Sequence, residues 1–432
     1  MSQTATADAR VVHPFREVWL ITLGHSLTHW YPATFYLLLP IIGNDLGLSF
    51  SQIGLVMSCQ YIAGAVANIP GGVLVDTVGR KGLLMAVSLF WVGFPYLLMS
   101  FTHSYLMLLG CVAMVGVGNS LWHPSAIPTL ARRFPDRKGL VLSLHGMGGN
   151  AGDAIAPLVV GALLAVLTWR EVVVLNVLPG LVVSLVLLVF LGTLSLGRKG
   201  DAAPKLDPGE PPQSLADYRR GLRQLVRNRS LVLLSTSGAF RSMTQMALLT
   251  FLPLYLAREL NYSPFLIGAA MFALQVAGLA AAPVAGHLSD RMGRRSVMSA
   301  SMAMTALVLL AMALAGRTPA FVALIAVLGF FLYAIRPVIQ AWIIESTPKN
   351  MGGSSIGILF GAQSLGASIA PLVGGMIADR WGLQATFYFL AATIVCANLF
   401  ILAMPREARE VAVLRADGQA VPQPKGQRLM LA

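Results

Sequence analysis

Charge is what this 432-residue sequence has least of: Asp, Glu, Lys and Arg together make up 11%, against 56% apolar residues. That is about half the charged share of a soluble chain, which excludes the two or three soluble domains the length alone would allow. Polar faces are missing too. The runs Val172 to Leu196 and Ser296 to Gly316 carry no charge and no alternation, and a stretch without a wet face belongs in hydrocarbon. Cysteine is scarce: Cys59, Cys111 and Cys396 lie in apolar segments with no paired spacing, so neither a disulfide framework nor a zinc site is expected. No nucleophile–base pair, metal constellation or phosphate loop stands out, so the expectation is no enzyme, no cofactor and no metal. Gly146-x-Gly148-Gly149 lies inside an apolar run with no strand before it, which points to helix packing rather than nucleotide binding.

Apolar stretches of about 20 residues are present at 16–42, 52–75, 82–101, 105–130, 139–167, 171–196, 230–258, 264–288, 295–316, 319–345, 352–378 and 383–404. Twelve spans put both termini on one side. If that side is the cytoplasm, it holds 25 of the 31 basic residues; Arg170, Arg258, Arg317 and Arg380 lie opposite, and Arg241 and Arg336 within spans. The bias is the orientation signal of an inserted protein. It also accounts for the net charge of +13 without nucleic acid, as attraction to an anionic leaflet. The first dozen residues are polar and the first apolar run is full-length, so the first helix is expected to act as its own insertion signal. Residues 15–196 and 230–404 read as two six-helix bundles. Residues 197–229 form a linker whose second part, Ser214 to Arg227, reads as a basic amphipathic surface helix, and 405–432 as a disordered tail.

The halves repeat one another. Ile155-Ala156-Pro157-Leu158-Val159 recurs as Ile369-Ala370-Pro371-Leu372-Val373. Leu46, Ser49, Ile53 and Gly54 recur as Leu260, Ser263, Ile267 and Gly268, and Ala63-Gly64 as Ala277-Gly278. Gly72-x-x-x-Asp76-x-x-Gly79-Arg80 recurs as Gly286-x-x-x-Asp290-x-x-Gly293-Arg294, and all these blocks share an offset of 214. In transporters built from such repeats the substrate sits near the midplane, between halves that rock.

The block Gly286-His287-Leu288-Ser289-Asp290-Arg291-Met292-Gly293-Arg294-Arg295 resembles the signature loop of the major facilitator superfamily. Residues 72–81 match it except that Thr77 replaces a basic residue. The resemblance implies an all-α membrane protein of twelve transmembrane helices in two pseudo-symmetric six-helix bundles, a monomer in a bacterial inner membrane. Gly72, Asp76, Gly79, Arg80, Gly286, Asp290, Arg291, Gly293 and Arg294 would form its gating motif. Physically, the glycines would let helices approach and the aspartates cap a helix or pair with arginine.

Three further stretches are similar to the fosmidomycin-resistance efflux branch: His25 through Leu55, Gly116-x-Gly118-Asn119-Ser120-Leu121-Trp122-His123-Pro124, and Gly148-Gly149-Asn150-x-Gly152 with Pro157. Ser125 stands where that branch has Glu, and Thr28 or His29 where it has an acidic residue. The arginine that drug–proton antiporters carry in span four is replaced by Val112 and apolar neighbours. Their span-five signature is degraded to Ala156-Pro157-Leu158-Val159-Val160-Gly161.

Ionisable side chains in spans are costly and mark solute pathways. His25 and His29, four apart, share one helical face; His123 precedes Pro124; His145 and Asp153 share span five; Arg241 lies in span seven. Arg336 precedes Pro337 at the repeat position of His123, 213 residues on. The resemblance puts spans one, four, seven and ten around the cavity. Histidines, and Asp153, can carry protons, while arginine forks suit carboxylate or phosphonate oxygens. The expected substrate contacts are Arg336, Arg241, His123, His29, His25, Trp122, Tyr36, Gln245 and Gln340. Asp153, His123, His145 and His29 are the expected proton carriers. Structural alternatives stand beside these: a histidine bonded to a carbonyl, Asp153 neutralising Arg336 or another basic residue, Arg241 snorkelling outward. Trp30, Tyr31, Tyr36, Trp122 and Tyr333 suit packing as well as substrate contact. The functional expectation is a proton-coupled exporter of a small anionic or amphiphilic compound, with a proton symporter importing a small organic acid as the alternative. A transport-dead sensor would need an output domain, for which 405–432 is too short and polar.

Overall fold

A computed structural model describes residues 15–78, 80–192, 223, 225, 227–347 and 352–404, except the side chains of residues 69, 76 and 352–354. Every element among them is helical: α1 (Arg16–Asp45), α2 (Phe50–Val78), α3 (Lys81–Met99), α4 (Tyr105–Asn119), α5 (Trp122–Arg133), α6 (Lys138–Leu163), α7 (Trp169–Leu191), α8 (Arg229–Arg258), α9 (Pro264–Met292), α10 (Arg294–Ala315), α11 (Pro319–Glu345), α12 (Gly352–Trp381) and α13 (Leu383–Leu402). These thirteen helices make the twelve expected spans, because α4 and α5 are two pieces of one. Nine stretches among the described residues are long and apolar enough to cross a membrane; α1, α6 and α8 are not among them. Those three carry His25, His29, His145, Asp153 and Arg241 of the polar residues singled out above. The tail, and most of the linker with its expected amphipathic helix, lie outside the described residues.

The fourth span breaks at Ser120 and Leu121. Proline has no N–H, so Pro124 cannot donate to the carbonyl four residues back, at Ser120. Instead the chain tightens to i→i+3 bonds: Ser120 N–H to the Val117 carbonyl at 3.2 Å and Leu121 N–H to that of Gly118 at 3.4 Å. The break sets Trp122 and His123 at the start of a new helix, halfway through the bundle.

Two helix pairs make most of the contact between the halves, α2 against α12 and α6 against α9, with a smaller contact of α1 on α8. At each, a glycine lies against the carbonyl of a helix-bending proline on the other side, Gly54 on Pro371 and Gly268 on Pro157. Gly375 likewise lies on the Phe50 backbone and Gly161 on that of Pro264. Every partner in one pair is its counterpart in the other plus or minus 214. The repeated blocks around Gly54 and Gly268 and around Pro157 and Pro371 therefore make one interface, written twice. No Cβ fits at these four positions, so the backbones approach as small residues in membrane helices allow.

All four contacts lie toward the end where α1 finishes and α2 begins. There a cross-half bond adds to them: Asp379 of α12 accepts from the Phe50 and Ser51 N–H groups at 2.8 Å each and from Ser51 Oγ at 2.5 Å, capping the N-terminus of α2. The repeat mate of Asp379 is Ala165, so the cap is made on one side only. At the opposite end of the same four helices, Gly72, Gly139, Gly146, Gly286, Gly357 and Gly361 face open space. The bundle is closed at the Asp379 end and splayed at the other.

The signature loops lie at the splayed end. Gly72 and Gly286, expected to bring helices together, touch no neighbour because the halves are apart there. Gly293 takes φ 87° between α9 and α10, a conformation glycine adopts at no steric cost. Asp290 pairs with Arg294 at 2.6 Å, and Arg294 with Glu345 at 2.9 Å, all within the second half. Arg291 and Arg80 are exposed. Gly79 and the Asp76 side chain lie outside the described residues.

Two substitutions test this interface. Gly268→Leu should cost about 1–3 kcal/mol, the scale of overpacking, lowering the melting temperature of the purified protein, whereas Gly361→Leu, which faces open space, should not. Asp379→Ala removes the cap, worth about 0.5–2 kcal/mol, and should raise the fraction open at that end about 2- to 30-fold, read from distances between spin labels on α2 and α12.

Candidate functional site: a polar cavity between the halves

The splay leaves a cavity of about 450 Å³ between the halves. From α1 its wall takes Thr28, His29, Pro32, Ala33 and Tyr36, and from α8 Arg241, Ser242, Gln245, Met246 and Leu249. Each recurs at i, i+4 and i+8, one helical face. Each α8 residue is its α1 counterpart plus 213, so duplication placed the same face of both helices on the cavity. His123 of α5 and Arg336 of α11, also repeat mates, both open onto it and are solvent-exposed.

The two walls differ in chemistry. In the first half, His29 Nδ1 lies 2.9 Å from Asp153 Oδ2, each side chain about 29% exposed. Asp153 thus pairs with His29, rather than with the Arg336 considered above. Tyr36 is buried, its hydroxyl bonded to that of Tyr61, and Tyr61 Oη reaches Met246 Sδ of the other half at 2.7 Å. In the second half, Arg241 is only 4% exposed, with Nε and Nη2 buried and unpartnered. The cavity wall carries two arginines from one half and a single carboxylate, Asp153, from the other. An uncompensated, desolvated guanidinium is expensive, and the two walls therefore differ in charge.

Of the expected substrate contacts, Arg336, Arg241, His123, His29, Trp122, Tyr36 and Gln245 line the cavity. Gln340, one turn past Arg336, is half-buried and off the wall; His25 and His145 stand behind it, buried. Asp153, His123 and His29 meet at the wall as expected proton carriers. Arg241 does not snorkel to an end. Trp30 donates to Asn176 Oδ1 at 2.7 Å and Tyr31 packs in the core, so neither touches the cavity. Sequence reading passed over Thr28, Tyr61, Asn68, Ser242 and Gln275. The 213 offset, applied to His29 and Tyr36, would have pointed to the α8 face, Ser242 included.

The family model of the Major Facilitator Superfamily matches residues 18–255 and 234–430. The chain is 24% identical over 413 residues to the phosphoglycerate transporter protein of Salmonella typhimurium, spanning 90% of this chain and 89% of that one. It is also 24% identical over 387 residues to the fosmidomycin resistance protein of Escherichia coli, with 89% and 90% covered. The fold is similar, at a TM-score of 0.75 and 17% identity over 90% of this chain and 95% of the other, to the crystal structure of a bacterial homolog of the human lysosomal transporter Spinster, inward-facing and unoccupied. Relatives and fold neighbours are transporters, not enzymes. With its two repeated bundles closed at one end around a midplane cavity, this chain belongs to the Major Facilitator Superfamily, as a multi-pass membrane transporter.

Proposed function

We propose that the protein is a proton-coupled exporter of a small anionic compound, carried by alternating access through the central cavity. The observation that carries this reading is Arg241, only 4% exposed and with Nε and Nη2 buried and unpartnered, in the wall of the cavity it shares with Arg336. Two charge-assisted bonds from a planar fork match a carboxylate or phosphoryl group. The His29–Asp153 pair on the opposite wall supplies the protonatable partner. Similarity to a phosphoglycerate transporter supports an anionic substrate, and similarity to a fosmidomycin resistance protein supports export. The excess of basic residues at the splayed end supports a cytoplasmic placement of that end and of both termini in a bacterial inner membrane. The Asp290–Arg294–Glu345 cluster, exposed there, is the candidate gate.

A second reading, a proton symporter importing a small organic acid, follows from the sign of the charge. A proton added to the His29–Asp153 wall makes the cavity more positive and strengthens anion binding, which is the linkage of co-transport. By reciprocity, symport requires the anion to bind more tightly when the pair is protonated, and exchange requires the reverse. Accumulation of radiolabelled organic acids and phosphonates in expressing and control cells, with the pH gradient intact and then collapsed, separates the two. Less label on expression supports export and more supports import; indifference to the gradient in both would sink proton coupling.

Arg336→Ala should weaken anion binding about 10- to 100-fold, the loss of one charge-assisted contact of about 1.5–3 kcal/mol, while the melting temperature in detergent stays put. Unchanged affinity would remove Arg336 from the site. Asp153→Asn leaves the arginine wall intact and should abolish gradient-driven accumulation in proteoliposomes while counterflow exchange of label continues. Loss of both would mean Asp153 serves the fold instead.

A further inference from the structure

At the His123 edge of the cavity wall lies a second group of side chains, formed by His123 itself and two buried histidines behind it that do not line the cavity. His25 of α1, His123 of α5 and His145 of α6 each bring a ring nitrogen to within 4.8 Å of the others. His25 and His145 are 5% and 4% exposed. His25 Nδ1 lies 2.6 Å from the His145 carbonyl oxygen. A carbonyl only accepts, so Nδ1 carries the proton and Nε2 of neutral His25 presents its lone pair. That nitrogen is buried without a partner, as are both nitrogens of His145. Three buried, unbonded imidazole nitrogens are costly in a low-dielectric interior; His25 Nε2 and one nitrogen of neutral His145 carry lone pairs, and a cation that accepts these two removes that part of the cost. The ring bond to a backbone carbonyl is also the contact that fixes tautomer and aim in metal-ligating histidines.

From this geometry we infer that His25, His123 and His145 form a binding site for a divalent first-row transition ion of the zinc type. An all-imidazole donor set selects zinc, copper, nickel and cobalt over magnesium and calcium, which take oxygen. A tetrahedral zinc with bonds of 2.0–2.1 Å needs its nitrogens about 3.4 Å apart, so the trio must draw in by roughly an ångström. His123, at the exposed edge and on the helix that begins at the Ser120 break, is the ligand free to do so. The site has room because α6 presents glycine beneath it: a Cβ at Gly149 would lie 2.8 Å from His25 Cε1 and 3.0 Å from His29 Nε2. Entry is from the cavity past His123, and the fourth position opens that way, beside Asp153. Arg336 on the facing wall opposes the ion's charge, so zinc is held loosely enough to leave. This inference goes beyond the anion-transport reading and does not need it.

The test uses the full chain, purified without a histidine tag and titrated with cobalt(II), whose visible absorption reports tetrahedral nitrogen coordination, then with zinc in competition. One ion per chain is expected, with affinity reduced at least about 100-fold in His123→Ala and in His145→Ala. A variant replacing His13, His103 and His287 together should bind as before. If His145→Ala does not yield a monodisperse protein, His123→Ala alone decides, since its side chain is at the cavity edge and not in the core. Absence of saturable binding, binding indifferent to His123→Ala, binding lost with the three outlying histidines, or displacement by equimolar magnesium would each overturn the site. Zinc binding retained in Arg336→Ala keeps the inference independent of the anion site. Failure of anion transport in the zinc-free protein that still binds cobalt or zinc overturns the other reading and not this one.

Discussion

Everything in this structure depends on how closely two proline-bent helices of one half can approach two helices of the other. Within a bilayer the hydrophobic effect does not press helices together, because lipid tails are as apolar as leucine side chains. What remains is packing at short range and the polar groups that short range brings into reach. Gly54 and Gly268 set their backbones against the carbonyls of Pro371 and Pro157. With the contact confined to one end, the halves part at the other, and the cavity is the space that results. Its location at mid-depth follows from geometry and owes nothing to the residues that line it.

The lining residues then decide what the space can hold, and here the two halves have diverged. Duplication delivered the same faces of α1 and α8 and the same turn of α5 and α11. At those matched positions Thr28 faces Arg241, His29 faces Ser242, and His123 faces Arg336. A symmetric scaffold thus carries an asymmetric charge: guanidinium on one wall, imidazole and carboxylate on the other. The asymmetry suits a carrier. A solute held between walls that belong to different halves touches both bodies at once, so its presence bears on how they sit against one another. A binding site confined to one half would exert no such leverage.

Composition and the 214 offset were enough to read twelve spans, two halves and the repeated blocks, because those properties are local or periodic; that two of the blocks pack the halves together came from the structure. The arginines and histidines were legible as outliers in hydrocarbon. What escaped was non-local. The break at Ser120 depends on a carbonyl left without a donor four residues before Pro124, and whether a span tolerates that or parts there is set by the neighbours Gly116 and Gly118 touch. The Asp379 cap joins residues 329 positions apart, and with Ala165 as its mate, the repeat that revealed the rest of the interface is silent about it. The three histidines were visible singly, yet their meeting depends on the axial register of α1, α5 and α6, which no spacing within one helix encodes.

The glycines carry the last step. Gly54, Gly161, Gly268 and Gly375 are needed where the halves touch, but Gly72, Gly139, Gly146, Gly286, Gly357 and Gly361 touch nothing. In an interior helix each of these costs about 0.5–1 kcal/mol relative to alanine, and this conformation gives no return for it. The same four helices carry both sets, at opposite ends. A surface kept smooth and small-sided at an end where nothing is packed is explained by a second conformation in which that end closes. On that account the α2–α12 and α6–α9 pairs are rails along which contact shifts from one end to the other, and the Asp379 cap, made on one rail only, biases which end is shut when the cavity is empty.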